Sequence, residues 1–164
     1  MKNKAKYLVW MASLILFLGC QPKTNTALID ALKKQVEADS EALSNLESKT
    51  FTQLERDFYA CDSLLQYLHP EEVEEVFPQL QLTGAYIEQF KLVAPTMKAE
   101  MDSTLIRLDQ LKADAESHYF SDSLVTIYIN DETQEVTKLG NQVTYFTDRF
   151  SNCQKELDQL KKKK

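Results

Sequence analysis

The sequence predicts an all-α fold: an elongated up-down-up bundle of three helices with a kinked second helix, or alternatively a four-helix bundle. Three observations point there. Beyond its first twenty residues the chain holds two glycines, Gly84 and Gly140, and four prolines. That is too few turn-formers for a many-stranded β fold, whose turns recur every 8–12 residues or so. Charged residues make up 27 % of the chain, a level that suits long helices with one wetted face. Apolar residues also recur at steps of three and four along three long stretches, the spacing of a helix with one buried stripe.

The first stretch begins after Thr26 with Ile29, Leu32, Val36, Leu43 and Leu46. It continues with Phe51, Leu54, Phe58, Cys61, Leu65 and Leu68. From Phe51 onward the steps alternate between three and four, as in the seam of a bundle. Between Leu46 and Phe51 the step is five, so the seam slips once. His69-Pro70 ends the helix, because a residue before proline is pushed out of helical geometry.

Pro70 suits the first position of the second helix, and Glu71, Glu72, Glu74 and Glu75 complement its positive dipole end. Val76, Leu80, Ile87, Phe90, Met97, Met101, Leu108 and Leu111 mark its inner face. Pro78 and Pro95 interrupt it, and an interior proline costs about 3 kcal/mol and usually kinks a helix. Two kinks or a short break are expected there. After Ser117-His118-Tyr119-Phe120, Ser121 or Asp122 caps a third helix. Its opening, Val125 to Ile129, favours strand by propensity. The faultless repeat Val136, Leu139, Val143, Phe146, Phe150, Cys153, Leu157 and Leu160 then favours helix throughout.

Residues 1–19 have a different character. Lys2, Lys4 and Lys6 precede an apolar run from Leu8 to Leu18, broken only by Ser13. The run is shorter than the roughly 20 residues needed to cross a bilayer, and a basic start followed by a short apolar run is the pattern of a secretory signal peptide. Phe17-Leu18-Gly19-Cys20 closes it and resembles the lipobox of bacterial lipoproteins, although Phe17 and Leu18 depart from its commoner residues. The resemblance covers the leader alone. It implies cleavage before Cys20, a diacylglycerol on the Cys20 thiol and an acylated new terminus, and two or more chains make a stable anchor. Gln21 follows where an aspartate would suggest retention at the inner membrane, so the outer membrane, periplasmic face, is the expected location. Residues 20–25 form a short polar tether, and 26–164 form the helical domain.

Cleavage would leave 16 basic against 25 acidic residues, a net charge of −9. Such a body lacks the basic surface that binds nucleic acid by counterion release and is repelled by anionic headgroups. Membrane association then falls to the lipid.

Cys61 and Cys153 share one frame, Phe58-Cys61-Leu65-Leu68 against Phe150-Cys153-Leu157-Leu160, on helices that run parallel in an up-down-up bundle. Counted from their helix starts they differ in height by only about 6 Å. In an oxidising periplasm this pattern predicts a disulfide, with two buried free thiols as the other possibility.

Nothing else forms a catalytic constellation. His69 and His118 stand at opposite helix junctions, too far apart to share a metal, and the glutamates after Pro70 suit a helix start better than a cation site. Phosphate-cradling glycine loops, nucleophile elbows and oxygen-rich calcium loops are missing. No metal or cofactor is expected. Lys161 to Lys164 form a basic end that complements the helix dipole. Lipid at one end and lysine at the other is similar in layout to the murein lipoprotein, without a shared motif. The expected role is a non-enzymatic, lipid-anchored spacer or interaction module with an envelope protein partner. The alternative is a carrier or sensor for a small apolar ligand, which would need an aromatic-lined pocket of roughly 300 Å³ or more.

Overall fold

A computed structural model describes residues 24–162, and every element in that range is helical. The chain forms three rods, each packed against the other two. The first comprises α1 (Thr24–Asn45), a π turn (Leu46–Phe51), α2 (Thr52–Leu64) and a 3-10 turn (Leu65–Tyr67). The second is α3 (Pro70–Glu116), 47 residues long. The third is α4 (Asp122–Lys162), 41 residues long. At 1.5 Å per residue α3 spans about 70 Å.

The five-residue slip in the first seam is the π turn. An α-helix advances about 100° per residue, so a step of five would carry Phe51 off the apolar face. Widening that one turn to i→i+5 spacing returns it. Thr52 Oγ1 donates to the Glu47 carbonyl, five residues back, at 3.1 Å. Leu46 and Leu54 are both buried, and Phe51 packs on the core between them.

α3 runs through Pro78 and Pro95 without the expected break. Both prolines lie on the exposed face, as do Glu74 and Lys91, the residues whose carbonyls lose a donor. On that face solvent has access to carbonyls that lack a helical donor, so the helix tolerates the prolines. The molecule therefore has three rods rather than four helices.

Neither glycine of the domain makes a turn. Both lie inside helices where another rod presses close: a Cβ on Gly84 would stand 3.1 Å from the Phe58 ring, and one on Gly140 would stand 2.9 Å from Asp39 Oδ2. The turns use other chemistry. The His69 N–H donates to Glu72 Oε2 at 2.9 Å, which secures the start of α3. His118, with φ 56°, supplies the left-handed residue after α3, and the Tyr119 N–H returns to the Asp114 carbonyl at 3.0 Å, the bond of a Schellman ending. Ser121 caps α4: its carbonyl accepts from the Leu124 and Val125 N–H groups, each at 3.0 Å.

Ion pairs record the register of the first two rods. Asp30 pairs with Lys112 at 2.7 Å, Lys33 with Asp109, Glu47 with Lys98, and Glu55 with Lys91 at 2.8 Å. As the number on the first rod climbs from 30 to 55, its partner on α3 falls from 112 to 91, as antiparallel neighbours require. Each pair is worth at most about 1 kcal/mol at the surface, so the ladder aligns more than it stabilises. Against α4 the first rod runs parallel: Asp39 lies on Gly140, Phe51 on Phe150, and Cys61 on Leu157.

The expected seams form the core, from Ile29 and Val36 through Val143, Phe146 and Phe150, except at Leu68, which lies past the 3-10 turn and is exposed. Phe90 is its centre, with ring centroids 5.0 Å from each of Phe51, Phe146 and Phe150. Thr83, Ala94, Thr104 and Ala115 are buried as well, although an apolar-periodicity reading passes over them. In the strand-prone stretch Val125 and Ile129 face the core while Ile127, which a strand would put on the same face as both, faces water with Tyr128, the pattern of a helix.

Candidate functional site

Cys20 and the lipobox lie outside the described residues. The described chain starts with α1 at Thr24, at the end where α3 finishes and α4 begins. The opposite end carries the turn of residues 65–70 and the C-terminal turns of α4.

Cys61 and Cys153 are both buried in the seam, but they are free thiols. The expected bridge is absent, and the register explains it. Cys61 Sγ points at the Leu157 carbonyl, 3.9 Å away, so Cys61 sits one helical turn beyond Cys153. One turn is about 5.4 Å of axial displacement, and disulfide geometry demands facing Cβ atoms about 3.8 Å apart. Burial raises both thiol pKa values. For Cys153 the neighbouring Thr83 hydroxyl opposes that rise without forming a hydrogen bond of ordinary geometry.

Close by, a polar cluster joins the first rod to α4. Asp57 is 7 % exposed. It accepts from Gln53 at 3.0 Å and Gln154 at 2.6 Å, and pairs with Lys161 at 2.7 Å. Burial alone would raise its pKa, but the bonds from Lys161, Gln53 and Gln154 overcome this and lower it to about 2. Lys161 thus belongs to the packed bundle rather than to a solvated tail. The sequence does place Asp57 on the buried stripe, three residues after Leu54 and four before Cys61, which was the available clue.

Above Cys61 the rods part around an apolar cavity of about 180 Å³. Leu64, Leu65, Leu68, Val76 and Leu160 form its walls, and Tyr67, Glu72 and Glu75 form its rim. Tyr67 is 78 % exposed, and Leu68 and the nearby Phe77 are also in water. This notch is the candidate contact site. The wider grooves are open to solvent and mix polar with apolar walls. One holds Arg107, whose guanidinium makes two bonds to Glu132 at 2.6 and 3.0 Å, an internal clamp between α3 and α4.

His69 and His118 cap opposite ends of α3, about 70 Å apart on the helix geometry. Among the described residues no three His, Cys, Asp or Glu side chains come together to hold a metal ion, and no helix is long and apolar enough to cross a membrane. The aromatics Phe51, Phe90, Phe146 and Phe150 interlock as core rather than surrounding a space. No family model matches the chain, and no curated protein or solved structure is significantly similar to it.

Proposed function

We propose that the protein is a non-enzymatic lipoprotein of the cell envelope, held by lipid on Cys20 and presenting the far end of its bundle to a protein partner. One observation carries the reading. The start of α1 at Thr24 and the apolar notch stand at opposite ends of a bundle roughly 70 Å long, so a lipid on Cys20 would hold the notch clear of the bilayer. Exposed Tyr67, Leu68 and Phe77 beside a shallow cavity suit the aromatic anchor of a partner, since binding energy concentrates in such small apolar centres. Location on the periplasmic face of the outer membrane follows from Gln21 after the lipobox cysteine.

The carrier reading has less support: the more enclosed apolar cavity is about 180 Å³ against the roughly 300 Å³ of a small-molecule pocket, and the larger grooves, of about 470 to 720 Å³, lie open to solvent. The deciding experiment places a photocrosslinking residue at Tyr67 in intact cells, with Tyr59 as a control on the same rod. The expected result is a discrete protein adduct at position 67 and a weaker one at 59. Equal labelling at both positions, or none, overturns the partner reading. Mass spectrometry of the membrane-extracted product tests the anchor: it should begin at Cys20 and carry acyl chains.

A further inference from the structure

The turn between α3 and α4 carries a second cluster of exposed apolar groups. Tyr119 stacks edge-on against Phe120 with centroids 4.8 Å apart, and Phe120 against Tyr128 at 5.5 Å. Tyr119 is 75 % exposed and Ile127 54 %. Leu28, on the first turns of α1, is 47 % exposed and shares a groove with Ile129 and Asn130. These residues gather at the end where the chain enters from Cys20. Ile129 belongs to the core and Phe120 packs against it, which leaves Tyr119, Tyr128, Ile127 and Leu28 facing water.

We infer that this end is a lipid-contacting edge, with Tyr119, Tyr128, Ile127 and Leu28 resting in the headgroup layer of the membrane that carries the Cys20 lipid. The inference rests on the anchored reading above and adds an orientation to it. Three residues lie between Cys20 and Thr24, and at full extension the four steps from one to the other reach no more than about 14 Å. The headgroup region is itself about 5–8 Å deep on each side of the hydrocarbon, so the tether holds this end of the bundle against it. Tyrosine suits that position, with its ring among the acyl ends and its hydroxyl among the headgroups. Tyr67 and Phe77, equally exposed at the far end, are too distant to reach the same surface. The charge at the turn selects the lipid. Asp114, Glu116 and Asp122 flank Tyr119, and Lys112 is already paired with Asp30. The edge therefore settles on zwitterionic headgroups and is repelled by anionic ones, at about 1 kcal/mol per charge.

Fluorescence tests this directly, because the chain's one tryptophan, Trp10, departs with the leader. Full-length Tyr119→Trp and Tyr67→Trp variants are expressed, extracted from membranes, checked by mass spectrometry for lipid on Cys20, and reconstituted into phosphatidylcholine vesicles containing brominated lipid. Both sites are exposed, so the fold tolerates the change. The expected result is emission from position 119 that is blue-shifted and quenched about twofold, as for an interfacial aromatic, with position 67 unaffected. Replacing part of the phosphatidylcholine by phosphatidylglycerol should weaken the quenching. Lipidated protein with equal quenching at both positions, or none at 119, overturns the lipid edge and leaves the anchor standing. Product that retains Trp10 and carries no lipid overturns both.

Discussion

Replacing Asp57 by asparagine should destabilise the bundle at neutral pH and have almost no effect at pH 2. The carboxylate is 7 % exposed and takes bonds from Gln53, Gln154 and Lys161, and its pKa falls from the ordinary 3.8 to about 2. A carboxyl with a depressed folded-state pKa favours the folded state above its unfolded pKa. That contribution is lost as pH falls through the folded value. At 1.36 kcal/mol per pH unit the shift is worth about 2 kcal/mol. It is fully present above about pH 5 and gone below about pH 2. Lys161 is itself 36 % exposed, so solvent screening makes this figure an upper value. Urea unfolding followed by helical circular dichroism, on both proteins from pH 7 to pH 2, measures it. The stability gap between wild type and Asp57→Asn should close as pH falls. A gap constant from pH 7 to pH 2 would refute the ionic account and leave only packing.

Four further outcomes follow from the packing. Phe90→Ala, which removes the ring shared by Phe51, Phe146 and Phe150, should cost about 3–5 kcal/mol in urea unfolding; a loss under 1 kcal/mol would show that the rings close the gap. Deleting Lys49, an exposed residue of the π turn, should leave the melting temperature unchanged or raised, since the turn reverts to α geometry with both seams aligned. Deleting Glu37, in the regular part of α1, rotates everything before it off the seam and should lower the melting temperature sharply. Asp39→Ala with Gly140→Ala removes a buried oxygen that has no partner and gives α4 a better helix former. The pair should stabilise by about 1 kcal/mol, whereas Gly140→Ala alone meets Asp39 Oδ2 and gains less. Without reductant, Cys61 and Cys153 should resist a thiol reagent in the native protein and yield two reactive thiols on unfolding; no reactive thiol in the unfolded protein would contradict the observed register.

Helicity, most of the large inward side chains and the two junctions were legible in the sequence, because each rests on local rules, whereas the small or polar buried residues Thr83, Ala94, Thr104 and Ala115 were not. Steps of three and four place side chains on one face, Pro70 closes one helix and opens the next, and the five-residue slip after Leu46 marks a fault in the seam, whose form as a π turn the structure supplied. What tertiary structure alone decided was height and approach. The position of Cys61 against Cys153 depends on how far one rod slides past another. Contacts such as Phe51 on Phe150 and the pairing of Glu55 with Lys91 fix that distance, and a one-turn offset turns an expected bridge into two isolated thiols. Gly84 and Gly140, Asp57 and Lys161 likewise acquire their roles from residues many positions away in the chain. Periodicity records which side of a helix is buried and carries no information about what lies opposite, so the register had to come from packing.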